Sequence, residues 1–394
     1  MTRFPKLLVA TEFSPNAAGG GPSVVRQMLK KWPTNKVYWW SCLPDHGPAP
    51  FHVAAHRVGR IPPKLFPHSR FVTAKVWGIQ RLWVPWAAQH LRSTINRYQP
   101  DVIWTVPHQW SILPLAQVLP LARFDFHISV HDYPAHHEQT KFGAKVIGRL
   151  FRGLEKLYNH ARSRDAIGEE MAADLFKRTG LTAEEILNAG VEHEDFTYLE
   201  QTRSPELDSI RIAHAGTIIA EETFVGFVES LSRIQKRLSK RIELHLFGSH
   251  TYRNRSWFRS DWMIEHGNIS SEEFRRELQK CVWGVSPMEF TNQNPLYNQF
   301  SLPSKTVRYL AAGLAVISLG HRDSTMANLA RKYRFGVALE DINPNRIDQL
   351  LENGLGLDDP WATFRAEILR CARERFDADS MRSRLYSLLG VSEA

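Results

Sequence analysis

Short uninterrupted apolar runs alternate with longer segments of helical periodicity. KLLVA at 6–10, VYWWS at 37–41, DVIWTV at 101–106 and FHISVHD at 126–132 have the composition of strands buried on both faces. Between them, 24–32, 74–98 and 141–160 carry helical spacing. The pattern turns polar and loses its period over 189–209, which marks a linker, and then restarts. RIAHAG at 211–216, IELHLFG at 242–248, VWGVSP at 282–287 and AVISL at 315–319 are the second set of strands, with helices over 223–238 and 271–279. Strands alternating with helices predict parallel sheets covered by helices on both faces. The predicted organisation is α/β: a Rossmann-like domain over 1–200, a second over 201–370, and a terminal helical segment over 371–394 that packs back on the first domain.

One stretch concentrates chemistry. SLPSKTVRYLAAGLAVISL at 301–319 contains a helix start, a helix stop and a buried strand. Pro303 and Ser304 sit at the helix entry, with Ser304 expected to cap the first free N–H groups and Lys305 to fall in the first turn. A cation there opposes the helix dipole, so its placement predicts an anionic ligand at the helix N-terminus. Gly313 is expected to end the helix in the left-handed conformation. A second glycine loop, AAGGGPS, follows the first strand, and Gly19, Gly20 and Gly21 would let backbone N–H groups approach an anion closely.

Composition narrows the class. The 394 residues exceed one ordinary core, and no apolar run approaches the roughly 18 residues of a membrane span. The N-terminal sequence has no apolar signal region, so export is not expected. Cys42, Cys281 and Cys371 are widely separated, which fits buried thiols rather than a disulfide framework or zinc cluster. The formal charge of +9 is uneven: residues 1–130 hold 15 Lys and Arg against 4 acidic residues, a net +11. No carboxylate lies between Asp45 and Asp101, where Arg57, Arg60, Lys64, Arg70, Lys75, Arg81, Arg92 and Arg97 interleave with Phe66, Phe71, Trp77, Trp83 and Trp86. Cations mixed with aromatic rings over 57–97 predict contact with an anionic membrane surface, in preference to nucleic acid.

These residues together resemble the GT-B glycosyltransferases, specifically the retaining glycosyltransferase family 4, over nearly the whole chain. The likeness rests on the AAGGGPS loop and on NPLYNQFSLPSKTVRYLAAGLAVIS at 294–318, with weaker echoes in VHD at 130–132, FGS at 247–249, HGNISSEEF at 266–274 and LNAGVE at 187–192. It implies two doubly wound Rossmann-like domains facing across a cleft. By position it implies donor contacts from Gly19, Gly20, Gly21, Gly216, Thr217, Asn294, Ser304, Lys305 and Arg308, a sugar-contacting carboxylate in Glu289, and a histidine near the reacting sugar in His131. The expected partners are a nucleotide-sugar donor, most simply UDP-linked, and a lipid-linked or polysaccharide acceptor at the inner face of the cell membrane, with no metal or other cofactor. HDYPAHHE at 131–138 matches no standard metal-ligand spacing.

Two departures stand out. Arg308 occupies the helix position where the family has a carboxylate gripping the ribose. After the first strand of the second domain, GTIIAEETF carries Thr217, Glu221 and Glu222 in place of phosphate-binding cations, leaving neutralisation to Lys305, the helix dipole and Arg253 or Arg255. A noncatalytic GT-B-like subunit and a UDP-N-acetylglucosamine 2-epimerase are the competing functions.

Overall fold

The computed structural model describes residues 2–47, 51–65, 71–134, 143–201, 208–290, 295–340 and 342–393. It comprises two compact units, Met1–Ala189 with Ser380–Ala394, and Gly190–Asp379.

The first unit is built on seven strands: β1 (Leu7–Thr11), β2 (Val37–Ser41), β3 (Ala55–Val58), β4 (Val102–Val106), β5 (Phe126–Val130), β6 (Ser163–Ala166) and β7 (Glu185–Ile186). They pair in parallel in the order β3-β2-β1-β4-β5-β6-β7. Every residue of β1, β4 and β5 is buried, which is why these strands read as continuous apolar runs. The final helix, Ala378–Leu388, returns the chain to this unit: Tyr386 Oη donates to the Met28 carbonyl at 3.0 Å.

The second unit has six parallel strands: β8 (Ser209–Ala215), β9 (Arg241–Phe247), β10 (Met263–Gly267), β11 (Trp283–Pro287), β12 (Ala315–Leu319) and β13 (Gly336–Leu339). Their order is β10-β9-β8-β11-β12-β13. Its core gathers Ile212, Leu244, Trp283, Val285 and Ile317 from the sheet with Phe224, Phe227 and Leu231 from the helix Glu221–Ile234.

Both sheets are doubly wound, as the alternation predicted. The segment expected to be a linker instead contains a helix, His193–Gln201. Its Phe196 and Leu199 are buried, and Arg365 donates to the Leu199 carbonyl at 3.1 Å, so tertiary contacts stabilise a helix with little apolar periodicity of its own. The predicted helix over 74–98 is three pieces: Val72–Gly78, a π-helical turn Ile79–Trp83, and Val84–Tyr98.

Candidate functional site

In a doubly wound sheet, ligands bind beyond the C-terminal ends of the strands where the strand order reverses. In the second unit that point lies between β8 and β11. Their pairing is brief, Ile212 with Trp283 and Ala213 with Gly284, after which the strands part. Tyr309 fills the opening: its hydroxyl accepts the Ala215 N–H at 2.8 Å and donates to the Val285 carbonyl at 3.3 Å. Gly284 is required beneath it, since a Cβ there would lie 2.4 Å from the Tyr309 ring.

The helix Ser304–Ala311 starts at this edge. Its cap is Pro303, with no side-chain cap bond, and Ser304 is already the first helical residue. This corrects the expected capping role of Ser304. Pro303 holds the extended conformation of a cap (φ −62°, ψ 117°), and Thr306 donates to its carbonyl at 2.9 Å. Thr306 also ties the helix to β11, through Ser286 Oγ at 3.3 Å.

Lys305 lies in the first turn, as predicted. Among the described residues no carboxylate forms an ion pair with it, and desolvation draws its ammonium down to about 7 although part of the residue still reaches solvent. Nearby, on β8, His214 is fully buried beside Phe224, with ring centroids 5.1 Å apart. Neither ring nitrogen has a hydrogen-bond partner of good geometry among the described residues. Burial holds this imidazole well below its ordinary pKa, and the charge on Lys305 adds to the effect. His214 was missed from sequence; the only signal was an ionisable residue inside an apolar strand, two positions before Gly216.

Gly216 (φ +81°) ends β8, and the exposed Thr217 follows, with its hydroxyl 3.4 Å from His250 Nδ1. Glu289 follows β11 and is half-buried; its carboxylate and backbone both engage Asn298. Arg308 is exposed, with its guanidinium 5.8 Å over the Phe274 ring. Arg253 pairs with Glu265 at 3.1 Å and Arg255 lies 3.6 Å from Glu221, so both candidate phosphate cations already face carboxylates. Asn294 lies outside the described residues.

In the first unit, Gly19 (φ +114°) caps the helix Gly20–Met28, so Gly20 and Gly21 are its first two residues rather than part of a free loop. His131 follows the end of β5 and is only 5% exposed. Burial lowers its pKa, while Asp165 and Asp132 pull the other way. Beneath it runs a buried polar strip: His127 Nε2 meets Asp165 Oδ2 at 2.7 Å, its Nδ1 meets Ser163 Oγ at 2.9 Å, and Trp104 donates to Ser129 Oγ at 2.8 Å. His136, His137 and Glu138 lie outside the described residues.

The basic aromatic stretch separates into two populations. Trp83 is buried and donates to the Gly59 carbonyl at 3.2 Å, whereas Phe71, Trp77, Leu82 and Trp86 are 78%, 58%, 62% and 50% exposed. A π-helical turn over Ile79–Trp83 precedes the helix Val84–Tyr98, whose α-helical repeat buries Val84, Ala87, Ala88 and Leu91 and leaves Trp86 outside. Phe66 and Arg70 lie outside the described residues. No described helix is long and apolar enough to cross a membrane.

No protein-family model and no curated protein sequence matches the chain. Solved structures do match its fold. Sucrose-phosphate synthase from Thermosynechococcus elongatus aligns with a TM-score of 0.69 at 13% identity, over 97% of this chain and 98% of that one. WaaG, a glycosyltransferase involved in lipopolysaccharide biosynthesis, aligns with a TM-score of 0.65 at 10% identity, over 98% and 99%. HepE of Anabaena, solved in complex with UDP and glucose, aligns with a TM-score of 0.64 at 13% identity, over 98% and 99%. At such identities the likeness carries the fold: two Rossmann-like units of the GT-B glycosyltransferase type.

Proposed function

We propose that the protein is a retaining glycosyltransferase that moves a hexose or N-acetylhexosamine from a UDP-linked donor to a lipid-linked or polysaccharide acceptor. The observation that carries this reading is Lys305: an ammonium in the first turn of a helix, at the strand-order reversal of the second sheet, without a carboxylate partner among the described residues. A diphosphate supplies the missing negative charge. The bond from the sugar anomeric carbon to the phosphate oxygen breaks as the acceptor oxygen bonds to that carbon on the same face, and the acceptor proton passes to the departing phosphate. Charge builds on the diphosphate as it leaves, and fixed N–H groups with Lys305 stabilise it. Glu289 receives sugar hydroxyls, Gly216 and Thr217 border the phosphates, and His131 serves the acceptor side. In the first unit, Gly19, Gly20 and Gly21 form a helix N-terminus suited to an anion. Arg308 replaces the carboxylate of the family 4 pattern, so the ribose is held by other groups.

The membrane-facing part of the proposal is the ridge of Phe71, Trp77, Leu82 and Trp86 with Lys75, Arg81 and Arg92. Rings settling at the lipid interface and cations meeting headgroups would keep the protein peripheral on the cytoplasmic leaflet.

Radiolabelled UDP-, GDP- and ADP-sugars offered with membrane lipid extract test the transfer. Absence of transfer and hydrolysis, together with unchanged nucleotide binding in Lys305→Ala, would sink it. The pairing of Arg253 and Arg255 with carboxylates favours one second reading, a noncatalytic nucleotide-binding subunit; tight UDP binding without turnover would select it.

A further inference from the structure

We propose that Asn298 is the positioning residue of Glu289, an inference that rests on the reading of Glu289 as the group that grips the donor sugar. Asn298 lies on the short helix Pro295–Phe300 and is 3% exposed. Its Oδ1 accepts the backbone N–H of Glu289 at 3.3 Å, and its Nδ2 donates to Glu289 Oε2 at 3.3 Å. One partner can only donate and the other, as a carboxylate, can only accept, so the chemistry of the pair sets the orientation of the amide. A single side chain thereby holds both the backbone and the carboxylate of the same residue.

Both ends of this clamp are anchored. One residue before Glu289, the Met288 N–H donates to the Leu319 carbonyl at 2.7 Å, which extends the β11–β12 ladder to the edge of the site. One residue after Asn298, the Gln299 carbonyl accepts from Thr325 Oγ1 at 2.9 Å, which ties the short helix to the helix Thr325–Tyr333. An ionised Asp lacks the donor, Leu lacks both groups, and Gln is longer by one methylene. A carboxylate held this way needs no reorganisation when sugar hydroxyls arrive.

The test compares UDP-glucose and UDP binding by calorimetry for wild type, Asn298→Asp and Asn298→Leu, near pH 8 and near pH 5, with melting curves to establish folding. UDP lacks the sugar, so losing the clamp should weaken UDP-glucose binding by ~10-fold or more and leave UDP within ~2-fold. In Asn298→Asp two carboxylates face each other; near pH 5 a shared proton restores the donor, and the deficit relative to wild type should shrink to ~3-fold or less. Asn298→Leu should show the deficit at both pH values. Variants that lose UDP and UDP-glucose equally, or an Asn298→Asp deficit that ignores pH, would overturn the role of Asn298 alone. Wild-type protein that binds neither ligand would overturn the donor reading, and this role with it.

Discussion

Lys305 depresses the titration of His214, and the effect runs one way. Burial alone brings Lys305 down to about 7, while His214, already driven well below its ordinary value by burial, meets the positive charge of Lys305 as well. When Lys305 titrates, His214 is therefore neutral and lays no charge against it. A lysine in this state gains a proton when an anion arrives. Nucleotide binding near pH 8 should accordingly take up protons, and affinity should fall as pH rises through 7. Calorimetry of UDP-glucose in buffers of different ionisation enthalpy measures this; its diphosphate has no proton of its own to lose in that range. Lys305→Ala should abolish the uptake and weaken binding by ~10-fold or more.

The same lysine bears on stability. Its folded pKa, about 7, lies below the unfolded value, so between the two the unfolded chain binds more protons and stability rises with pH. Below pH 7 the folded state carries the full cost of the charge. Lys305→Met should raise the melting temperature most at pH 6, with a diminishing gain toward pH 10. A Lys305→Met protein that melts below wild type at pH 6 would refute a site held ready for an anion.

Gly313 has two constraints. Its φ of +76° suits glycine, and a Cβ at that position would lie 1.8 Å from the Trp361 ring. Gly313→Ala should cost about 2 to 5 kcal/mol in urea unfolding, from backbone strain and overpacking together.

Asp165 is fully buried, with His127 at 2.7 Å and Ser129 also hydrogen-bonded to it. Leaving buried hydrogen-bonding partners unsatisfied costs about 1 to 3 kcal/mol, the loss expected in chemical unfolding of Asp165→Asn. Because the Asp165 charge raises the His131 pKa, the substitution should also lower that titration in NMR.

The exposed aromatic ridge should carry the protein to anionic vesicles in flotation. Salt should weaken the attachment, and Trp77→Glu with Trp86→Glu should abolish it. Equal flotation with neutral vesicles at high salt would rule out the electrostatic component.

Local information determined the strands and the left-handed stop. Val37–Ser41 and Ala315–Leu319 match their predicted limits, and Gly313 adopts the predicted conformation, because burial on both faces and a positive φ are written in neighbouring residue types. The first-turn position of Lys305 was legible for the same reason. Tertiary structure decided what depends on partners distant in sequence. Ala215 N–H reaches the Tyr309 hydroxyl across 94 positions, and Asn298 holds Glu289 across nine, contacts that periodicity does not encode. Ser304 lost the cap to Pro303, and the predicted linker holds a helix whose apolar residues find their partners only in the fold. Trp83 and Trp86 look alike in sequence, yet the fold buries the first and leaves the second half exposed. Periodicity reports which residues avoid water, whereas the charge state of a lysine or the aim of a carboxylate depends on which atoms the fold brings within a few ångströms.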